Sequence, residues 1–117
     1  MKRIVIFDDD TDILEILTYL LQEKGWEVYT QTTCKHVTKV VAAHRPNVVL
    51  MDNWIPEAGG VKATQTLKSD PALSSIPVIY FSANNNIAQL AEEAGADAYL
   101  AKPFDLDYLE TILSKFS

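Results

Sequence analysis

Five short apolar runs, each followed by a segment of helical period, limit what this chain can fold into. Such runs, rich in β-branched and aromatic residues and bounded by turn residues, read as strands buried on both faces of a sheet. The first covers residues 3–7 and is ended by Asp8, Asp9 and Asp10. Asp10 or Thr11 then caps a helix whose apolar face is Ile13, Ile16, Leu17, Leu20 and Leu21, and Gly25 stops it. Residues 27–30 alternate polar and apolar, with Val28 and Thr30 on one face, which suits an edge strand. A helix over about residues 33–44 follows, and Pro46 forbids its continuation.

The most apolar run is Val48, Val49, Leu50 and Met51, which leads directly into Asp52; Gly59 and Gly60 close the loop beyond it. A helix with Val61 and Leu67 ends near residue 68, before Asp70 and Pro71. Val78, Ile79, Tyr80 and Phe81 form a fourth strand ending in Ser82 and Ala83. A helix with Ile87, Leu90, Ala91 and Ala94 stops at Gly95, residues 98–101 give a last strand running into Lys102 and Pro103, and Leu106, Leu109, Ile112, Leu113 and Phe116 line a terminal helix. Strands that alternate with helices over short connections pair in parallel, with right-handed crossovers that place helices on both faces. Because the polar edge strand is the second, the first and third lie centrally. The expected fold is an α/β, flavodoxin-like three-layer (βα)5 sandwich with strand order 2-1-3-4-5, and residues 1–117 read as one domain.

Composition narrows the function. A net charge of −6 argues against direct binding of nucleic acid, which needs a basic face. No apolar run approaches the length of a membrane helix, and the basic start at Lys2 and Arg3 is followed by too short an apolar stretch for a signal peptide. The expected location is the cytoplasm, with no membrane contact. The single cysteine, Cys34, suits a reducing compartment and is read as a small helix residue. Trp26, His36 and His44 are read as structural or surface residues.

In open α/β sheets ligands bind at the carboxyl ends of the strands. The expected order brings Asp8 and Asp9, with Asp10 as a further candidate, together with Asp52, Ser82 and Lys102 to that rim. Close carboxylates repel one another by roughly 4 kcal/mol per pair at an effective dielectric near 20, so the cluster needs a cation. An oxygen-only donor set favours Mg²⁺ over zinc. A carboxylate nucleophile, a metal, a cationic anchor and a hydroxyl donor are the parts of a phosphoryl-transfer site.

Over its whole length the sequence resembles the receiver domain of a two-component response regulator. The residues that carry the resemblance are Asp8 and Asp9 after the first strand, Asp52 with Pro56 and Gly60 beyond it, Ser82 with Ala83, and Tyr99 ahead of Lys102, Pro103 and Phe104. The resemblance implies a phosphorylation-activated switch that accepts a phosphoryl group on Asp52 from a histidine kinase or phosphotransfer protein. It implies no enzyme activity beyond self-catalysed phosphorylation and autodephosphorylation. Mg²⁺ would be held by Asp9 directly, Asp8 mainly through water, Asp52, and the backbone carbonyl of Trp54. Lys102 would pair with the phosphoryl group, Ser82 would move toward it, and Tyr99 would turn inward and change the surface of the fourth helix, fifth strand and fifth helix. Asn53 stands where an apolar residue is more usual and Gly59 where an acidic one is frequent. Asn53, Trp54, Ala83 and Asn84 flank the site. Trp54 either shields the phosphoryl group from water or packs over the loop, and an unchanged dephosphorylation rate in Trp54→Ala would overturn the first reading.

One alternative is a haloacid-dehalogenase-like phosphatase with Asp8 as nucleophile, since the run from Phe7 to Thr11 superficially resembles that nucleophile loop. Against it, Asp12 stands where Thr or Val is expected, and the chain is short for that fold. A pseudo-receiver or FMN scaffold has less support, because an acidic rim repels the FMN phosphate. The sequence ends about one residue beyond the last helix, which fits a stand-alone receiver that docks on a downstream protein or a piece of a longer regulator with a fused effector domain. The fourth helix contains Glu92 and Glu93 and no Lys or Arg, which leans against fusion to a DNA-binding winged helix. A homodimer formed on phosphorylation also fits.

Overall fold

Unbroken apolar runs in most of the strands dictate a sheet covered on both faces, and the computed structural model, which describes residues 2–55 and 59–116, has that arrangement. In chain order the elements are β1 (Lys2–Phe7), α1 (Thr11–Glu23), β2 (Trp26–Gln31), α2 (Val37–His44), β3 (Val48–Asp52), α3 (Gly60–Ser69), β4 (Val78–Ser82), α4 (Ile87–Ala94), β5 (Ala98–Ala101) and α5 (Leu106–Ser114). The strands are all parallel in the order β2-β1-β3-β4-β5, the flavodoxin-like order expected. Ile4, Ile6, Val48, Leu50, Ile79 and Phe81 face α1 and α5; Val5, Phe7, Val49, Met51 and Val78 face α2 and α3. Tyr80 packs separately against α4, among Ile87, Ala91 and Ala94.

Two helices depart from the sequence reading. In α1 the buried stripe is Leu14, Leu17 and Leu21, whereas Ile16, expected on the apolar face, is 55% exposed. At about 100° per residue the three leucines lie within a narrow arc, and Ile16 falls roughly 130° from its centre. Leu14→Ala is therefore expected to lower stability by about 2–5 kcal/mol and Ile16→Ala by less than about 0.5, as read from urea unfolding midpoints. Similar losses for both would contradict this orientation.

The other departure is at α2, which begins at Val37 and not near residue 33. The Thr33 hydroxyl accepts from the Lys35 N–H at 3.4 Å, a local bond that competes with helix. Cys34 is thus a buried loop residue rather than a helix residue, with its Sγ 3.8 Å from Met51 Sδ. Burial, with a smaller contribution from the Asp52 charge, pushes its thiol up to about 12, so it is a packing group and not a nucleophile. Trp26 is in the core, His44 stacks on Tyr29 with ring centroids 3.9 Å apart, and His36 is exposed.

Candidate functional site

Register and alternation assemble the site. Phe7 of β1 lies opposite Met51 of β3, so Asp8 and Asp52 occupy the next rung, with their side chains on the face shared by Ile6 and Leu50. Ser82 of β4 pairs with Ala101 of β5, which places Lys102 just beyond the same edge. Its Nζ lies 2.7 Å from Asp52 Oδ1 and 3.0 Å from Asp8 Oδ2, and the ammonium sits 4.5 Å from the centroid of the Phe81 ring. The peptide bond from Lys102 to Pro103 is cis.

The second oxygen of each carboxylate is also engaged. Asp8 Oδ1 accepts from the Asp10 N–H at 2.9 Å, and Asp52 Oδ2 from the Trp54 N–H at 3.1 Å. Asp10 turns its own carboxylate to the start of α1, where it accepts from the N–H groups of Asp12 and Ile13 and caps the helix. Asp9 is exposed, and it, Asp8 and Asp52 each offer an oxygen such that all three lie within 4.8 Å of one another. Burial raises the Asp8 carboxyl, against the lowering influence of the Asp10 N–H and of Lys102. Burial alone would lower the Lys102 ammonium, but its bonds to Asp52 and Asp8 outweigh that and leave it raised. Three carboxylates facing one ammonium leave an excess of negative charge in a partly dry cleft. An oxygen-only set of this kind fits a hard divalent cation.

The remaining sequence-predicted residues flank this cluster. Ser82 is buried at the end of β4, where its hydroxyl accepts from the Asn84 N–H at 2.9 Å and its backbone carbonyl accepts from the Lys102 N–H at 2.9 Å. Ala83 and Asn84 are exposed just beyond it. Trp54 lies two residues beyond Asp52, and its side chain is 77% exposed. Tyr99 on the edge strand β5 is 43% exposed. Pro56 lies outside the described residues.

Gly60, named in the sequence only as part of the pattern beyond Asp52, has a steric role there: a Cβ would stand 2.3 Å from the Asp52 carbonyl oxygen, so α3 starts in direct contact with the end of β3. One site residue escaped the sequence reading, Tyr80, which was read only as part of a strand and whose hydroxyl donates to Asn53 Oδ1. The signal available was the pairing of two polar exceptions, a Tyr within a buried strand and an Asn where an apolar residue is usual.

The description of the response regulator receiver domain family matches residues 4–114. The chain belongs to that family. As a receiver domain it is a signalling switch of two-component systems, and its aspartate cluster is compatible with Mg²⁺ binding and phosphorylation. The match across nearly the whole chain sets aside the haloacid-dehalogenase-like alternative. The transcriptional regulatory protein CrdR of Helicobacter pylori is 34% identical over 117 residues, covering 98% of this receiver and 54% of CrdR. The polar-differentiation response regulator DivK of Brucella anthropi is 29% identical over 116 residues, covering 97% of this receiver and 94% of DivK. The receiver domain of a sensor histidine kinase of Pseudomonas aeruginosa, solved with magnesium coordinated in its active-site cleft, superposes with a TM-score of 0.90 at 24% identity, covering 98% of this chain and 96% of that one. The receiver spans about half the length of several curated relatives, CrdR among them. Among the described residues no helix is long and apolar enough to cross a membrane.

Proposed function

We propose that Asp52 accepts a phosphoryl group from the phosphohistidine of a histidine kinase or phosphotransfer protein, and that the resulting acyl phosphate switches the α4-β5-α5 surface. The observation that supports this most directly is the buried Asp52 carboxylate, fixed at the end of β3 by Lys102 at 2.7 Å and by the Trp54 N–H, with Asp8 and Asp9 beside it. A carboxylate oxygen of Asp52 forms the new O–P bond as the P–N bond of the donor breaks, and the imidazole leaves with its electron pair. Lys102 holds Asp52 in place beforehand and follows the developing charge onto the phosphoryl oxygens.

Asp9, Asp52, the Trp54 carbonyl and, through water, Asp8 would hold Mg²⁺, which when bound would neutralise charge on the phosphoryl oxygens. Both Asp8 oxygens already accept hydrogen bonds, which favours its acting through water. Exposed Asp9 is free of such bonds among the described residues and suits direct ligation. The magnesium seen in the Pseudomonas relative lies in the corresponding kind of cleft. Ser82 exchanges its bond to Asn84 for one to the phosphoryl group, and half-exposed Tyr99 follows inward. Asn53, Trp54, Ala83 and Asn84 line the approach and set how long the acyl phosphate survives autodephosphorylation. The single domain works in the cytoplasm, and its output is a downstream protein, a fused effector domain or a phosphorylation-dependent homodimer, without direct nucleic acid contact.

The test is uptake of phosphate from acetyl phosphate, followed by intact mass. Uptake should require Mg²⁺ and vanish with chelator; modification that proceeds equally well in chelator would sink the proposal. At Mg²⁺ ten times above Kd the wild-type chain should gain about 1.4 kcal/mol of unfolding free energy. Asp9→Asn should lose most of that gain while unfolding like wild type in chelator.

A further inference from the structure

Tyr80 occupies a position that none of the proposed switch residues explains. It is fully buried in the middle of β4, and its ring packs against Ile87, Ala91 and Ala94 on the inner face of α4. Its hydroxyl reaches across to Asn53, the residue that immediately follows Asp52. Its partner in the β4–β5 ladder is Tyr99, and register partners in a parallel sheet share a face, so Tyr80 and Tyr99 lie side by side beneath α4.

Among the described residues, backbone groups hold the other sides of Asn53. Its N–H donates to the Phe81 carbonyl at 3.0 Å, and its carbonyl accepts from the Gly60 N–H at 3.0 Å. Among the described residues the Tyr80 hydroxyl is thus the one side-chain anchor of Asn53, and Asn53 leads to Trp54, whose N–H fixes Asp52 Oδ2. Burial, helped by the Asp52 charge, pushes the Tyr80 phenol up to about 12, so the hydroxyl remains a donor at neutral pH.

We propose that Tyr80 is a positioning residue for Asp52, and that its bond to Asn53 couples the phosphoacceptor loop to α4 through the interior of the domain. The inference rests on Asp52 being the acceptor. It adds a link that does not pass through Ser82: a shift of the loop is felt by a ring wedged under α4 and next to Tyr99. The polar Asn53 is then a matched partner, since a buried phenol facing an apolar residue would have no acceptor there.

The test uses the whole chain with beryllofluoride and Mg²⁺ as the probe, reading amide exchange in α4, together with the rate of labelling by acetyl phosphate. Tyr80→Phe keeps the ring and removes the hydroxyl, and Asn53→Leu removes the acceptor at a partly exposed position without opening the interior. Each variant should label about three- to tenfold more slowly in the initial rate, and its α4 response to saturating beryllofluoride should shrink at least about twofold. The double variant should be no worse than the slower single, because both changes remove one bond. A full wild-type α4 response in Tyr80→Phe, or single effects that add in full, would overturn the inference while leaving the acceptor role intact. Failure of the wild-type chain to take up beryllofluoride at Asp52 would overturn both.

Discussion

Lys102→Met is expected to make the metal-free domain less stable, make it bind Mg²⁺ more tightly, and make it a poor phosphoryl acceptor, all at once. The methionine keeps an apolar stem over Phe81 and removes only the ammonium. Left behind are the Asp8 and Asp52 side chains, 1% and 6% exposed, with no cation between them. Removing one partner of a buried ion pair costs about 3–5 kcal/mol; because the Lys102 side chain is itself 19% exposed, about 2 kcal/mol is a fairer figure here. Burial already raises the Asp8 carboxyl, so Asp8 contributes stability when protonated at low pH and loses that contribution as the pH rises through its folded-state value. Without Lys102 that trend steepens. The loss should be largest at neutral pH and should shrink on acidification through the carboxylate range.

Mg²⁺ should reverse the deficit. A divalent ion about 5 Å from an ammonium is repelled by about 1.7 kcal/mol even at the dielectric of water, so removing the ammonium should tighten Mg²⁺ binding roughly tenfold or more. Phosphorylation should nevertheless fall by about one to two orders of magnitude, because the phosphoryl oxygens lose their cationic partner. Urea unfolding in chelator and in Mg²⁺, with a Mg²⁺ titration, checks both signs. Wild-type stability in chelator together with wild-type Mg²⁺ affinity would contradict the arrangement of Lys102 between two carboxylates.

Gly60→Ala should be nearly as damaging, and for a steric reason. The added Cβ would lie 2.3 Å from the Asp52 carbonyl oxygen, 2.9 Å from Asn53 Cα and 3.1 Å from the Asp52 carbonyl carbon. All three are backbone atoms, so no side chain can swing aside, and α3 must lift from the end of β3. A cost of about 3 kcal/mol is expected, with labelling of Asp52 slowed by about tenfold or more as the loop shifts. Its neighbour Gly59 is needed differently: φ is 80° and an added Cβ would meet nothing within 4 Å. With ψ at 156° this backbone conformation is open essentially to glycine alone, so Gly59→Ala should cost about 1–3 kcal/mol of backbone strain without pressing on the Asp52 carbonyl, and should leave labelling much closer to wild type than Gly60→Ala does. Equal effects of the two substitutions on labelling would contradict the contact between Gly60 and the end of β3.

The strand cores were legible because a strand buried on both faces declares itself as an unbroken apolar run. Val48 to Met51 identified β3, and its polar continuation, Asp52, marked the rim. The order 2-1-3-4-5 followed from the single polar strand having to lie at an edge. Asp8, Asp9, Asp52, Ser82 and Lys102 were visible for the same reason, each sitting at or just past a strand end.

What stayed hidden depends on direction and register. Ile16 is as apolar as Leu14, and only the docking angle of α1 decides which one is covered. Cys34 looked helical because a side-chain bond from Thr33 that delays a helix leaves little trace in hydropathy. The bond from Tyr80 to Asn53 needs two strands in fixed alignment, and the close approach of Gly60 needs a helix axis; neither is a local property of the sequence.

The most direct measurement of the central claim is the position of the acyl phosphate. The chain, phosphorylated with acetyl phosphate in Mg²⁺, is trapped by borohydride and mapped by peptide mass spectrometry alongside Asp52→Asn. Label confined to Asp52, and absent from Asp52→Asn, is the predicted result. Label on Asp8, or label that persists in Asp52→Asn at the wild-type rate, would contradict it.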